Sequence, residues 1–592
     1  MCGGIFTKPQ TQNDKYMMKL ETILKRSLFL LLSMPLPLGA MADDVTVADQ
    51  NGNELTYSYE GDEGPATFKR VKTYSKDESK AGHIVIADAV TVDGKSHQVK
   101  YVSGDVGNRS KIVSIVFGQN IVATGGPDGS SSSAFSGCDK LTTVTLNAKL
   151  QILGTYTFLN CYHLESINLG DCTSLTTIKA SAIEDCDYVR QITVPASVTT
   201  IEKNAFYSID SLRTVTFAKG SKLTTMGEGA FRDNKKLESI NIEACTSLTV
   251  FPDSWLYNCP SVKSLIVPAS VETFGRWMFD YTNNIETITF LAPTVPDGFY
   301  SYRDSLKTVN IGPGVKSIGE GAFRNCYYLK TINIDKGVSN MAIDKYAFAE
   351  SDRLLEVSLP AGIVSLGNGA FRSCDSLRTV TFAEGCGITE IPYECFAHCL
   401  ANLETITLPD AVQTIGAEAF YNCKVLREVN FGKGVITINN WYTFAYCEKL
   451  EKLVLPGTNN PFTGDVWMPA DIVLYVHPEL VDLYRENDYT KNYHIMPIGK
   501  TTDYTITTTG GGQLQSKVRE DQAQVTLKLT VSGPINGTDI NYLHSAFPNL
   551  QVLDLTNARI VAGGDKSTSG TWPRTAMPPL RPIMARGRPR TT

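Results

Sequence analysis

Cysteine is the side chain in this sequence with the most evident chemical potential, with fourteen copies in 592 residues. Nine of them (Cys138, Cys161, Cys186, Cys259, Cys326, Cys374, Cys399, Cys423 and Cys447) each stand three residues after a Phe, Ile or Leu, and Asn234 fills the same place once. A residue that returns in register belongs to a buried ladder, where a small apolar thiol packs against the next coil. Neighbours in such a ladder hold their Cβ atoms about 4.8 Å apart, outside the roughly 3.5–4.5 Å of a disulfide. The nine thiols are therefore expected to stay free, even in an oxidising compartment. Cys395-Phe-Ala-His398-Cys399 has the outline of a metal pair, but Phe396 and Cys399 follow the same register and no second ligand pair lies at a supporting distance. The other histidines, at 83, 97, 163, 477, 494 and 544, are scattered. There is no H-E-x-x-H, G-x-S-x-G or G-x-x-x-x-G-K-[ST], and the run from Asp49 to Glu54 lacks the length and distant acid of a calcium loop. No catalytic residue, metal ligand or cofactor is expected.

Aromatic side chains are the second signal. Residues 251–302 hold eleven of them, about 21% against 9% for the whole chain. Phe274, Phe279, Phe290 and Phe299 fall on core positions of a recurring pattern, and Trp255 replaces the small residue beside one of them. Trp277, Tyr281, Tyr300 and Tyr302 fall off that register, so they are expected to be at least partly exposed. Aromatics dominate protein interfaces and stack on sugar rings. These four are the candidate ligand-binding residues.

The pattern itself is a repeat. IGEGAFRNCYYLKTINI (318–334), LGNGAFRSCDSLRTVTF (366–382) and IGAEAFYNCKVLREVNF (415–431) share a small apolar residue and Phe, then Cys, Leu and an alternating apolar stretch. The anchor runs through Phe135, Phe158, Ile183, Phe206, Phe231, Leu256, Phe279, Phe299, Phe323, Phe348, Phe371, Phe396, Phe420 and Phe444. Its steps are 23 to 25 residues, except 20 between Phe279 and Phe299. Segments such as LKTINI (329–334) alternate apolar and polar residues, the signature of a short strand buried on one side. The Ala-Phe stretch is too short for a full helix and predicts one helical or 3₁₀ turn at a corner. An apolar pair before each anchor, such as Val315 and Ile318, predicts a second strand opposite the first. One copy cannot bury its own apolar side and must stack on its neighbours.

The motif IGxxAFxxCxxLxxIxL resembles the BspA-like leucine-rich-repeat proteins of anaerobic oral and gut bacteria, over about Ser133 to Leu455. Residues 471–499 are similar to the segment that closes such arrays. The resemblance implies a leucine-rich-repeat solenoid, β-rich, with a long parallel sheet and short helical or 3₁₀ turns. In some members it also implies adhesion to host extracellular-matrix proteins or to other bacteria. Around the array, 43–117 lacks the anchor and reads as a small β cap over the first repeat. The array with its closing segment spans 118–499. Residues 500–565 hold LQVLDLTNARI and read as a second, truncated repeat module, while 566–592, with six basic residues, five prolines and no acid, reads as a disordered tail. A frameshift, an early stop and a functional basic tail are all open readings of that tail.

Residues 1–42 set the compartment. Lys19, Lys25 and Arg26 precede the apolar run SLFLLLSMPLPLG (27–39) and Ala40-Met41-Ala42, the layout of a secretory signal peptide. The run is broken by Pro35 and Pro37 and is short of the roughly 20 residues of a membrane span. Residues 1–16 are consistent with a start codon assigned too early. The formal charge of −6 opposes nucleic-acid binding, which demands a basic face. Outward strand positions carry mixed charges, among them Arg190, Arg213, Glu238, Glu286, Lys307, Lys330, Arg427 and Glu451, which a solvated sheet face explains. The expectation is a monomeric, exported or cell-surface, adhesin-like protein that binds an extracellular protein or glycan. The alternative is a carbohydrate-binding or carbohydrate-processing surface protein with a truncated C-terminal module.

Overall fold

The computed structural model describes residues 43–564 except 60, 62–63, 108, 131–132, 439–441 and 500–502. The signal-peptide segment and the basic tail lie outside the described residues. The chain divides into two compact units, 1–212 and 213–592.

In the first unit, Asp43–Ala48, Glu54–Tyr59 and Ala66–Thr73 pair antiparallel. Ala66–Thr73 then pairs in parallel with Lys95–Val102, and the remaining coils follow that direction. Lys95–Val102, Ala123–Thr124, Ile152–Leu153, Thr177–Ile178 and Thr200–Ile201 make one parallel column. His83–Val85, Ser114–Val116, Thr143–Thr145 and Ser166–Ile167 make a second. The two strands per coil expected from the apolar pairs are thus present. Phe68, from the antiparallel region, stacks on the first anchor Phe135 at 6.3 Å, which joins the N-terminal strands to the repeat core.

In the second unit, Ser264–Val267, Thr287–Phe290, Thr308–Ile311, Thr331–Ile334, Glu356–Leu359 and Thr379–Phe382 form a six-stranded parallel sheet. Alternate residues point inward, as Val357 and Leu359 do while Glu356 and Ser358 face out. Lys452–Leu455, Val473–Val476 and His494–Pro497 extend a further parallel sheet through the closing segment. Asp503–Thr507, Lys528–Ile535 and Val552–Ile560 build a separate parallel sheet. Helix Gly537–Ala546, closed at its start by an Asn536/Asp539 capping box, packs Leu543 over Leu529 and Val531 of that sheet.

A spine of anchors fills the coils. Phe323, Phe348, Phe371, Phe396, Phe420 and Phe444 stack with centroids 5.5–5.8 Å apart and planes within 13° of parallel. Each anchor sits in a run of i→i+3 turns, as Cys161 N–H to Phe158 C=O and Leu159 N–H to Tyr156 C=O show. The residues two places before and after the anchor adopt left-handed backbone, as Asn204 and Ser208 do about Phe206 or Gly369 and Ser373 about Phe371. From most coils the N–H groups at these two places and at the anchor donate to the next coil. Gly369, Phe371 and Ser373 bond Tyr393, Cys395 and Ala397 at 2.8, 3.0 and 2.8 Å.

All thirteen described cysteines are buried and unpaired. The in-register thiols share a bond that the repeat alone did not foretell. Cys161 Sγ donates to Phe135 C=O at 3.1 Å, Cys186 to Phe158 at 3.2 Å and Cys447 to Phe420 at 3.0 Å, each to the anchor of the coil before. Burial raises Cys259, of the in-register thiols, up to about 12, and the buried Cys245, outside the register, up to about 11. A thiol raised on folding keeps its proton while the unfolded chain loses it, so stability is full below the ordinary thiol range near pH 9 and falls as pH climbs toward 12.

Three measurements check this packing. Phe371→Ala should cost about 3–5 kcal/mol, as core Phe truncations do, with faster hydrogen exchange centred on the adjacent coils. Unchanged exchange around residue 371 would show that the register is wrong. Thermal melts should fall progressively above pH 9, with a shallower fall in a Cys374→Ala/Cys399→Ala/Cys423→Ala variant, and alkylation mass spectrometry without reductant should find no cross-link between neighbouring coils.

Candidate binding surface

The corners present a column of left-handed positions, normally filled by Gly, Asn, Asp or Ser because a bulky side chain there is strained. One coil departs. Trp277 (φ 55°) and Tyr281 (φ 60°) occupy both left-handed places about Phe279, and Tyr302 (φ 59°) occupies one in the next coil. All three are well exposed, at 59, 63 and 66%. Tyr281 lies edge to face with Tyr257 at 5.2 Å, and Arg232 covers the other ring at 4.3 Å.

Tyr300 does not belong with them. It is 1% exposed, and its hydroxyl donates to Thr282 C=O at 3.0 Å. The reason is register. Gly298, Tyr300 and Tyr302 N–H groups bond Glu320, Ala322 and Arg324 of the next coil, at 2.9, 2.9 and 2.8 Å, so Tyr300 rather than Phe299 is the anchor. The left-handed Gly298 and Tyr302 bracket Tyr300 by two residues each way, as they should for an anchor. Phe299 instead fills the gap beside the spine, edge to face with Phe279 at 5.2 Å and with Phe290 at 4.7 Å.

This shift leaves the preceding coil short, and the corner ladder breaks there. Among the described residues no backbone bond runs from Trp277, Phe279 or Tyr281 N–H to the next coil, although the strands Thr287–Phe290 and Thr308–Ile311 remain in register. Side chains bridge the gap instead. Arg303, at the place where other coils bury a thiol, reaches Asn283 Oδ1 at 2.6 Å and Asp280 at 3.3 Å, and Ser305 Oγ donates to Ile285 C=O at 2.9 Å. Between the two coils lies a surface cavity of about 430 Å³, lined by Asn283, Asn284, Tyr302, Arg303, Asp304 and Ser305. Of these only Tyr302 stood out in the sequence. The others carried one signal, the shortened step followed by Arg where Cys recurs.

The sheet face offers less. Its outward charges pair between rungs, Lys307 with Glu286 at 2.7 Å, Arg427 with Glu451 at 2.6 Å, and Arg213 with Glu238. His398, at a left-handed corner, contacts Asn422 at 3.1 Å, while Cys399 Sγ turns inward to Phe371 C=O at 3.5 Å. Among the described residues no group of three His, Cys, Asp or Glu side chains gathers as a metal site.

A family model described as a BspA type leucine-rich-repeat region matches in overlapping segments, 129–238, 176–295, 225–342, 293–399 and 341–468, which together span more than half the chain. The chain belongs to this family. The BspA-type array is also similar to a leucine-rich-repeat protein of Bacteroides ovatus (22% identity, 65% of this chain and 93% of that one, TM-score 0.37). A leucine-rich cell-surface protein of Faecalibacterium prausnitzii gives 20% identity, 72% and 97% coverage, and a TM-score of 0.32. The pneumococcal vaccine antigen PcpA gives 17%, 76% and 98%, and 0.27. No curated protein matches the chain. No helix among the described residues of this BspA-type chain is long and apolar enough to cross a membrane.

The strained corner makes a stability prediction. Asn tolerates left-handed backbone where Tyr does not, so Tyr302→Asn should raise stability by about 1 kcal/mol. A thermal or denaturant melt of the variant reads it, and an unchanged or lowered midpoint would mean that the Tyr302 ring repays its own strain in packing.

Proposed function

We propose that this protein is exported to the cell surface or the medium and binds an extracellular macromolecule, without catalysing a reaction on it. The observation that carries the reading is the broken corner ladder, where Trp277, Tyr281 and Tyr302 stand exposed on strained backbone. Strain at three bulky residues within two coils persists only where the surroundings enforce it, and it concentrates at recognition sites. Desolvated aromatics contribute about 2 kcal/mol or more each at an interface, whereas exposed ion pairs of the kind on the sheet face contribute roughly 0–1 kcal/mol. The basic amino-terminal segment and its apolar run support export, and the family's repeated, stackable coils support binding over catalysis.

The test is capture of immobilised host matrix proteins and glycans by the full chain. A Trp277→Ala/Tyr281→Ala/Tyr302→Ala variant with unchanged circular dichroism and melting should lose at least tenfold in affinity. A charge-reversal set at Arg213, Lys307 and Lys330 should lose far less. Binding that is strongly salt-dependent and lost only in the charge-reversal set would place the site on the sheet face.

A further inference from the structure

We propose that the cavity between the Phe279 and Tyr300 coils takes a neutral saccharide unit of the ligand. The inference rests on the binding reading above and names its chemistry. At about 430 Å³ the cavity falls within the roughly 300–1,000 Å³ of small-ligand clefts. Its lining, however, is not the apolar wall such clefts usually have. One aromatic ring, Tyr302, stands beside two side-chain amides, a carboxylate, a guanidinium and a hydroxyl. A pyranose presents one apolar C–H face and a rim of hydroxyls that both donate and accept, and this lining answers each part.

The hydrogen-bonding capacity left over is of the right kind. Asn284 donates its amide to Pro260 C=O at 2.8 Å, which leaves its carbonyl oxygen to accept. Asn283 Oδ1 is taken by Arg303 at 2.6 Å, which leaves its NH₂ to donate. Ser305 Oγ has given its proton to Ile285 C=O and can still accept. Asp304 is exposed, and its carboxylate has no hydrogen-bond partner among the described residues. Donors and acceptors therefore face the cavity together, as vicinal hydroxyls require.

Charge excludes the acidic sugars. The one cation, Arg303, is already paired with Asp280 at 3.3 Å, and Asp304 adds a second carboxylate. A sulfate, phosphate or sialic acid entering here would meet an unpaired carboxylate and a neutralised guanidinium. A peptide ligand would need an apolar anchor pocket, which this lining does not form.

The experiment presents the full chain to an array of neutral mono- to tetrasaccharides alongside sialylated and sulfated counterparts. One or more neutral glycans should bind, with at least a tenfold loss in both Tyr302→Ala and Asp304→Ala and no change in melting. Binding of acidic glycans only, of no glycan, or of neutral glycans equally by both variants overturns the proposal. Matrix-protein capture by the wild type and by a Trp277→Ala/Tyr281→Ala variant, which leaves the cavity lining intact, is measured in parallel. Capture lost in that variant while no neutral glycan binds leaves the aromatic corner as the binding surface and rejects the saccharide alone. Capture unaffected by that variant, or by adding Tyr302→Ala, rejects the binding reading as well.

Discussion

The backbone hydrogen bond between consecutive coils is the constraint from which the rest of this structure follows. A single turn of about 23 residues has almost no interior, so whatever it buries must be buried against the turn before and the turn after. Parallel strands about 4.8 Å apart fix that separation. Once they do, every inward side chain must recur at the same place, because the space offered to it is bounded by a copy of itself. The phenylalanine spine, with ring centroids 5.5–5.8 Å apart from Phe323 to Phe444, is the most direct result. The left-handed corners are another: three N–H groups from each regular coil can reach the next only if the backbone reverses two residues before and two after the anchor.

The thiols answer the same constraint. The slot three residues after the anchor places a side chain beside the carbonyl of the preceding anchor, and most coils fill it with a small donor, although buried Ile209 fills it after Phe206. Cysteine meets this in most coils, and Thr282 meets it by bonding Leu256 C=O at 2.5 Å. Asn234 bonds its own anchor, Phe231, at 2.7 Å instead. The common property across these residues is hydrogen-bond donation within a buried space, with no demand for redox or metal chemistry. Most of the in-register thiols therefore need no disulfide, because the neighbouring coil supplies the bond that each makes.

Most of the architecture was legible because repetition is itself the signal. Leu-x-x-Ile-x-apolar marks one strand, the apolar pair before each anchor marks the other, and both appear where the pattern puts them. The one misplacement among the candidate site residues, Tyr300, shows what repetition hides. Phe299 and Tyr300 are adjacent aromatics in a coil of irregular length, and spacing alone assigns the anchor to the more usual Phe. The backbone ladder assigns it to Tyr300, since Gly298, Tyr300 and Tyr302 are the residues that bond the following coil. The left-handed positions were also unread, although Asn, Gly, Asp and Ser recur two residues either side of the anchors. Without that column, Trp277, Tyr281 and Tyr302 looked merely out of register, whereas each stands where the backbone disfavours a bulky side chain. Asp304, Asn283 and Asn284 are ordinary loop residues in sequence and acquire meaning only from the gap that they line.

A regular solenoid has little to distinguish one coil from the next, so a ligand smaller than the array needs a departure from regularity in order to be recognised at one place. The short coil ending at Tyr300 supplies it at modest cost. One strand column carries through, from Thr287–Phe290 to Thr308–Ile311, and keeps neighbouring coils coupled, whereas the opposite column is interrupted between Thr273–Phe274 and Thr294–Val295. The corner bonds are lost as well, and Arg303, Ser305 and the Tyr300 hydroxyl bridge the coils through side chains. Backbone bonds of a ladder are self-satisfied and present nothing to a partner. Side-chain bridges keep spare donors and acceptors, and the gap that they span leaves room for a ligand to use them. Trp277 and Tyr281 stand at the corner that no longer donates to the next coil, while Tyr302, whose N–H still bonds Arg324, stands on the far side of the gap. Loss of the corner ladder and opening of the cavity are thus two consequences of one shortened coil.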